Sequence, residues 1–214
     1  MLVVVLVVSV SSLSAETDVI VEGRVAYPRM REIFDPAPGG NIQARSWVSD
    51  HWGIGLSGGY ENMGAGYDTD RIPIAGAVLN TDVAGAARAF PIGLHAVYRF
   101  NSAPEYRAAD WTASIGLNYT HMGSGAMIES VFVPAAGPSV AAEWDIEIDD
   151  AYFVELQIAY EDKIPWLGDQ RFVIGAGYRY DISRGDATVD AIELEKELDL
   201  SGFYARFGLL FPIN

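Results

Sequence analysis

Residues 90–100, FPIGLHAVYRF, decide the fold of this chain because their side chains alternate in character. Apolar or aromatic residues occupy every second position, namely Phe90, Ile92, Leu94, Ala96, Tyr98 and Phe100. Small or polar residues hold most of the positions between them: Pro91, Gly93, His95, Val97 and Arg99. A period of two indicates a β-strand with two unlike faces. Soluble strands most often have about five or six residues, whereas a tilted membrane strand needs about ten.

The same alternation recurs along the chain and predicts eight strands. Their expected bounds are about Asp18–Tyr27, Asn41–Val48, Trp52–Glu61, Arg88–Phe100, Trp111–His121, Asp150–Glu161, Gln170–Asp181 and Asp199–Phe211. Short or moderate connections cover residues 49–51, 101–110 and 162–169, and long loops cover 28–40, 62–87, 122–149 and 182–198. Small outer-membrane barrels have short periplasmic turns and long outer loops. The pattern therefore predicts an all-β fold, an eight-stranded antiparallel up-and-down transmembrane β-barrel with both termini in the periplasm.

Residues 1–15, MLVVVLVVSVSSLSA, combine an apolar run with small residues that end at Ala15. This is typical of the apolar core and cleavage end of a secretory signal peptide. A basic start is missing and Leu13 is large for its position, so a β-strand or a short anchor helix is the alternative interpretation. We therefore expect a signal peptide over 1–15 and a barrel domain over 16–214. Beyond Ala15 no apolar run is long enough for a membrane helix, so a membrane span requires a closed barrel.

Composition and charge narrow the function classes. Hydrophobic residues make up 50% of the chain, and 29 acidic against 14 basic residues give a formal net charge of −15. The hydrophobicity argues against a disordered chain, and the negative charge argues against a nucleic-acid partner, because phosphates need a basic surface. The chain has no cysteine, and its three histidines show no zinc-enzyme spacing. We therefore expect no metal site and no cofactor.

Charged residues on the less apolar face of the strands are expected to lie inside the barrel. This predicted network consists of Glu22, Arg24, Arg45, Glu61, His95, Arg99, Glu155, Arg171, Arg179 and Arg206. An eight-stranded barrel is just wide enough for side chains to fill, and buried charges have to pair. We therefore expect the three glutamates to pair with the arginines and plug the interior; a narrow polar conduit is the alternative. For His95 we expect an interior hydrogen bond, with catalysis or pH sensing as the alternative.

Aromatic residues cluster at the ends of the predicted strands. They are Tyr27, Trp52, Tyr60, Phe90, Tyr98, Phe100, Trp111, Tyr119, Tyr152, Tyr160, Phe172, Tyr180, Phe203 and Phe211. Aromatic residues at strand ends form the two girdles that a membrane barrel places at the membrane surfaces.

Four stretches carry a resemblance to a known family: residues 52–60 (WGIGLSGGY), 90–100, 174–178 (IGAGY) and 201–209 (SGFYARFGL). Over about residues 18–211 the chain resembles the small OmpA/OmpX-like outer-membrane β-barrel proteins. The resemblance implies a location in the bacterial outer membrane and contact with outer-membrane lipid and lipopolysaccharide. It also implies recognition by the barrel-assembly machinery, which in this family usually uses a final aromatic residue. Here Pro212, Ile213 and Asn214 follow Phe211 instead.

Three functions are compatible with these features. The first is a structural protein whose long acidic loops contact an unknown surface partner. The second is a small channel or transport protein for ions or an apolar solute, and the third is a soluble lipocalin-like ligand-binding barrel. Interior arginines disfavour the third, because a soluble barrel would bury apolar residues and expose charged ones. His121 lies near Ser124, but the H-x-S spacing of outer-membrane lipid deacylases is absent, so we expect no catalytic residues and no enzyme.

The acidic loop residues form three clusters. They are Asp68 and Asp70; Glu143, Asp145, Glu147, Asp149 and Asp150; and Glu193, Glu195 and Glu197. Their oxygens are suited to Ca²⁺, or to Mg²⁺ bridges to lipopolysaccharide phosphates, but no calcium-loop pattern occurs and we expect them to be solvated. Residues 72–78 and 128–140 are apolar for exposed loops, which suggests a partner contact or a fold over the barrel mouth.

Overall fold

The computed structural model describes residues 16–29, 35–64, 67–74, 77–101, 109–123, 126–134, 138–183, 187–189, 192–193 and 199–213. Within this part of the chain the strands are β1 (Thr17–Pro28), β2 (Ala37–Trp47), β3 (Trp52–Gly64), β4 (Tyr67–Ile74), β5 (Ala77–Arg99), β6 (Ala109–Gly123), β7 (Ala126–Pro134), β8 (Val140–Ile148), β9 (Ala151–Lys163), β10 (Arg171–Asp181), β11 (Ala187–Val189), β12 (Ile192–Glu193) and β13 (Gly202–Ile213). Among the described residues, none belongs to a helix long and apolar enough to cross a membrane. The expected signal peptide, residues 1–15, lies outside the described residues.

Eight of these strands close into an antiparallel barrel in the order β1, β2, β3, β5, β6, β9, β10, β13. The closing pair is β1 with β13, which runs from Thr17 opposite Ile213 to Pro28 opposite Gly202. Each strand therefore pairs with the strand before it and the strand after it in the barrel, which is an up-and-down topology. This confirms the predicted fold class. The second strand begins at Ala37, earlier than predicted, because Ala37 pairs with Ala26 of β1.

Three hairpins continue the barrel wall at one end, which we name the outer end; the opposite end, where β1 begins and β13 ends, is named the inner end. They are β4 with the first part of β5, β7 with β8, and β11 with β12. The hairpins also pair with one another, so their strands follow the order β4, β5, β7, β8, β11, β12. The assignment of 62–87, 122–149 and 182–198 as loops was wrong in these parts, since their backbone groups pair across the hairpins.

Strand β5 belongs to both layers, with 23 residues that pair first with β4 and β7 and then with β3 and β6. Gly85 lies where β5 passes from the hairpin layer to the barrel, and its φ is 94°. Side chains with a Cβ rarely adopt this backbone conformation, so glycine allows the change of direction.

Burial alternates along the barrel strands as the sequence pattern predicts. In β3, Trp52 and Ile54 are 53% and 51% exposed, whereas Gly53 and Gly55 face inward. The outward residues of the other strands are likewise large and apolar, among them Ile92, Leu94, Ile115, Leu117, Leu156, Ile174 and Phe207. Apolar residues outside and charged residues inside are the reverse of a soluble ligand-binding barrel, and they match a barrel that faces hydrocarbon.

Aromatic residues mark both ends of six barrel strands at a constant spacing of eight positions. The pairs are Trp52 with Tyr60, Phe90 with Tyr98, Trp111 with Tyr119, Tyr152 with Tyr160, Phe172 with Tyr180, and Phe203 with Phe211. Eight residues span roughly 26 Å along a strand, and a tilt of about 40° reduces this to roughly 20 Å across the membrane.

Candidate functional site

The outer half of the barrel interior holds six paired charges, which we name the outer charge cluster. Its members are Glu22, Arg24, Glu61, Glu155, Arg179 and Arg206. Glu61 is its centre, because one carboxylate oxygen lies 3.2 Å from Nε of Arg24 and the other 2.5 Å from a guanidinium nitrogen of Arg179. Arg24 also donates to Glu155 at 3.0 Å and lies 4.1 Å above the ring centre of Tyr204.

Polar amides connect the rest of this cluster. Arg206 lies 3.3 Å from a carboxylate oxygen of Glu22 and donates to the side-chain oxygen of Gln157 at 2.8 Å. Gln157 in turn donates to Glu155 at 3.0 Å, and Asn41 donates to Glu22 at 3.1 Å. The cluster is therefore one connected network contributed by β1, β2, β3, β9, β10 and β13.

The half of the interior away from the hairpins holds a second network, the inner charge cluster, made of Glu16, Asp18, Arg45, Arg99, Asp110 and Glu161. Arg45 binds both oxygens of Glu161, at 2.5 and 3.1 Å, and donates to Asp18 at 3.2 Å. Arg99 lies 3.2 Å from Glu16 and 3.5 Å from Asp110. Its guanidinium carbon is 3.6 Å from the ring centre of Trp47, which itself donates to Asp18 at 2.7 Å.

Between the two charge clusters an apolar layer covers the side of the barrel formed by β1, β9, β10 and β13. It consists of Ile20, Ala159, Val173 and Leu210, each at most 2% exposed. On the neighbouring strands β2 and β3 the buried side chains in register with Ile20 are polar, namely Gln43 and Ser57. A second apolar layer lies beyond the outer charge cluster and includes Ala26, Ala37, Met63, Ala87, Ala89, Met122, Ala151, Phe153 and Leu200. Buried side chains thus fill the barrel along its axis.

His95 lies between the charge clusters and bonds to Ser57, with 2.8 Å between Nε2 and the serine oxygen. Its Nδ1 and the amide nitrogen of Asn118 are buried and have no hydrogen-bond partner among the described residues. Both side chains lie flat against glycine backbone, because a Cβ on Gly116 would collide with His95 and one on Gly93 with Asn118. This arrangement is an interior hydrogen bond rather than a nucleophile and base that a substrate can reach.

The structure places nine of the ten predicted network residues inside the barrel with polar partners, but some partners differ from the expectation. Glu22, Glu61 and Glu155 pair with Arg24, Arg179 and Arg206. Arg45 and Arg99 pair instead with acidic residues that were not predicted. Arg171 is half-buried at the start of β10, at the end away from the hairpins, and forms no ion pair with another described residue.

Four acidic residues of the inner charge cluster were missed from sequence. They are Glu16, Asp18, Asp110 and Glu161. Asp18 and Glu161 continue the inward parity of Glu22 and Glu155, so extending the alternation to the strand ends identifies them. Glu16 and Asp110 show no such signal, because they lie at or outside the limits of the predicted strands.

Ten of the fourteen predicted girdle residues are at least 37% exposed, and Tyr98, Tyr160, Phe172 and Phe211 are half-buried against neighbours. At the end away from the hairpins Trp52 packs on Tyr98 with ring centres 5.0 Å apart, and Trp111 packs on Tyr160 at 5.3 Å. At the outer end the pairs are Tyr60 with Phe90, Tyr119 with Tyr152, and Tyr178 with Phe203. The aromatic rings therefore form a band at each end of the apolar exterior.

A polar group at the outer rim ties the β8–β9 turn to the barrel. The carboxylate of Asp150 accepts hydrogen bonds from the hydroxyl of Tyr119 and, at 2.9 Å, from the backbone N–H of Met122. His121 contributes Nδ1 at 2.9 Å from the same carboxylate. The hydrogen bond from Tyr119 is the main reason that the pKa of Asp150 lies below its usual value. Ser124, the serine considered as a nucleophile beside His121, lies outside the described part of the chain.

The predicted acidic and apolar loop segments fall mainly in the three hairpins. Residues 128–134 belong to β7 and residues 72–74 to β4, so these apolar runs are strands of the wall. No group of three or more His, Asp or Glu residues in the described ranges is arranged to hold a metal ion.

Comparison with known proteins supports the fold. No family model and no curated protein matches the chain. The crystal structure of the outer membrane protein OprG from Pseudomonas aeruginosa matches with a TM-score of 0.61 at 11% identity, over 94% of this chain and 97% of OprG. A major outer membrane protein from Thermus thermophilus matches with a TM-score of 0.50 at 11% identity, over 92% and 99% of the two chains. The chain therefore shares the fold of outer-membrane β-barrels, and its resemblance to the OmpA/OmpX group stays a prediction.

Proposed function

We propose that this protein is a bacterial outer-membrane barrel with a closed interior, which serves a structural role and presents its three hairpins as a contact surface outside the cell. The observation that carries the proposal is the layered interior: two clusters of buried ion pairs with an apolar layer between them. Large side chains that are less than 2% exposed, including Arg45, Ile20, Glu61 and Val173, fill the space along the barrel axis. A filled interior supports a structural role over a channel.

The membrane location is supported by the outward-facing apolar residues and by the two aromatic bands. Exposed leucine, isoleucine and phenylalanine side chains around the whole barrel are costly in water and favourable in hydrocarbon. We expect the protein to require detergent for extraction and to migrate faster on gels before heating than after it. Recovery in the aqueous fraction without detergent would contradict the membrane location.

A planar-bilayer conductance measurement tests the closed interior. The wild-type protein is expected to give no stable open steps, because its charges are paired and the apolar layer excludes water. The combined substitution of Arg24→Ala and Glu155→Ala removes a buried pair and serves as an opened comparison variant. Stable single-channel steps from the wild-type protein would overturn the closed interior and favour the channel alternative.

The orientation is tested on intact cells. The hairpins continue the wall at one end of the barrel. The opposite end holds the short turn at residues 48–51, the start of β1 and the end of β13. We expect added protease to cut between β7 and β8 and to spare tags at the chain termini, which this orientation places in the periplasm. Cleavage of the terminal tags without cleavage of the hairpins would reverse it.

The same cells test the contact surface. A variant in which a short turn joins Gly123 to Asp149 removes β7 and β8 and leaves the barrel strands intact. Surface partners captured by the wild-type protein by cross-linking are expected to be lost in this variant. Full retention of every cross-linked partner would argue against a contact role for these hairpins.

A further inference from the structure

Arg88 is an arginine on the outside of the barrel that forms no ion pair with another described residue. Its neighbours Ala87 and Ala89 face inward and are each 1% exposed, whereas Arg88 shares the outward parity of Phe90. The interior arginines of both charge clusters have carboxylate partners, and Arg29 at the rim pairs with Asp199 at 3.5 Å. Although the chain has a net charge of −15, no described carboxylate pairs with the exposed guanidinium of Arg88, so an external anion is a possible partner for it.

The position of Arg88 along its strand places it in the lipid headgroup region. It lies two residues beyond Phe90 toward the outer end, which is roughly 6 to 7 Å along the strand. Phe90 belongs to the outer aromatic band together with Tyr60 and Tyr119. Aromatic girdles lie at the level of the headgroups, so a side chain just beyond the outer band reaches the phosphate layer of the outer leaflet.

The strands on either side of Arg88 provide further donors and an open space. Asn62 of β3 is its direct cross-strand partner on one side, and Gly123 of β6 is its partner on the other. A Cβ on Gly123 would lie 3.3 Å from the carbonyl oxygen of Arg88, 3.6 Å from Cβ of Arg88 and 3.8 Å from the ring of Phe90. The glycine therefore leaves a notch about one methyl group in size beside Arg88 and the ring of Phe90.

His121 completes this surface from the diagonal cross-strand position. It pairs with Phe90 in register and stacks on the Phe90 ring, with 6.4 Å between ring centres. Its Nδ1 donates to Asp150, and in the imidazolium form its Nε2 is a second donor that a phosphate oxygen can accept from. The nearby carboxylate of Asp150 is already surrounded by Tyr119, His121 and the Met122 N–H, and these donors reduce its repulsion of an anion.

We propose that Arg88, Asn62 and His121 bind a phosphate group of an outer-leaflet lipid, with the phosphorylated glucosamine headgroup of lipid A as the occupant. A guanidinium binds two phosphate oxygens at once, and the asparagine amide and the histidine ring add single hydrogen bonds. The notch at Gly123 and the ring of Phe90 offer an apolar path for the first part of an acyl chain. This inference rests on the proposed outer-membrane location and adds a specific lipid site to it.

The test is a titration of the full chain, folded in detergent micelles, with bis-phosphorylated lipid A, its dephosphorylated form and inorganic phosphate, followed by native mass spectrometry. The wild-type protein is expected to prefer bis-phosphorylated lipid A over the dephosphorylated form by about tenfold, as expected for a charge-assisted bidentate contact. Arg88→Gln is expected to remove most of this preference, and Arg88→Lys to restore part of it because the charge returns without the bidentate geometry.

Arg29→Gln is the matched control, since it removes an exposed rim arginine whose guanidinium already has a carboxylate partner. The proposal is overturned if Arg88→Gln and Arg29→Gln lose the same amount of binding, or if the dephosphorylated lipid binds as well as lipid A. Full competition by millimolar inorganic phosphate would also overturn it, because the source would then be a soluble anion. Heat-dependent gel migration is measured on every variant, so a lost lipid site in a folded barrel is distinguished from a failure of the proposed membrane location.

Discussion

The outer charge cluster contains three carboxylates and three guanidiniums, whereas the inner charge cluster contains four carboxylates and two guanidiniums. The outer cluster is also more enclosed: the side chain of Glu61 is 1% exposed, but that of Glu16 in the inner cluster is 27% exposed. In the outer cluster Glu61 is the one carboxylate paired with Arg179 among the described residues, whereas Arg24 is shared between Glu61 and Glu155. The inner cluster, by contrast, has an excess of acidic groups around each arginine.

This difference indicates where the barrel is sensitive to substitution. Removing one partner of a buried pair leaves an unpaired charge, which costs more than the pair itself contributed. In the inner cluster the remaining acids still neutralise the arginine, so the same substitution has a smaller cost. Single substitutions in the two clusters are therefore expected to lower the free energy of unfolding by different amounts.

The largest effect is expected for Glu61→Gln, which takes the shared carboxylate away from Arg24 and Arg179. We expect the free energy of unfolding in lipid vesicles to fall by about 3 to 5 kcal/mol. The measurement is urea unfolding followed by heat-dependent gel migration. Arg24 keeps Glu155 at 3.0 Å, so Arg179 is the charge that this variant leaves without an ion pair among the described residues. Adding Arg179→Gln removes this charge, so the double variant should recover part of the loss. A double variant that loses the full sum of the two single effects would show that Glu61 and Arg179 are not coupled.

The matched substitution in the inner cluster is Glu161→Gln, and its effect should be smaller. Arg45 loses a bidentate partner but keeps Asp18 at 3.2 Å. We expect a loss of about 2 kcal/mol in the same unfolding assay, the size of a hydrogen bond to a charged group. Equal losses for Glu161→Gln and Glu61→Gln would contradict the contrast between the two clusters.

Gly116→Ala tests the polar residues between the clusters, because the added methyl group displaces His95 from its bond with Ser57. We expect a loss of about 1 to 2 kcal/mol, as for other overpacked interior sites. Gly23→Ala is the control, since its Cβ would lie 4.0 Å from the nearest atoms on the outward face. Unfolding of both variants at the same urea concentration would contradict the expectation that a methyl group at position 116 disrupts the packing of His95.

The smallest effect is expected for Glu16→Gln, at the edge of the inner cluster that lies farthest from the hairpins. Arg99 keeps Asp110 at 3.5 Å, and Glu16 is partly accessible to water. We expect less than about 1 kcal/mol, as for an exposed ion pair, and the loss should shrink further at high salt. A loss as large as that of Glu161→Gln would mean that water does not reach this end of the barrel.

The barrel could be predicted from sequence because its determinants are local. A period of two along residues 90–100 and 111–121 defines which side chains face lipid, and an up-and-down barrel then pairs consecutive strands. The hairpin layer was missed because residues 126–134 carry no clear alternation and because residues 140–148, in which Trp144, Ile146 and Ile148 alternate with acidic residues, were interpreted as an acidic loop. Their strand structure depends on neighbouring hairpins, whose pairing is not visible in either segment alone.

The eight barrel strands, the inward parity of Arg24, Arg45 and Glu61, and the aromatic bands were all predictable from the sequence. Which charges meet follows from the tertiary structure, since Arg24 and Glu155 are 131 residues apart and Arg45 and Glu161 are 116 apart. They meet because the registers of successive strand pairs, from β1 on β13 to β10 on β9, together set the relative heights of inward side chains along the barrel axis. A shift of register by two residues would keep every residue on its face and still bring different charges together.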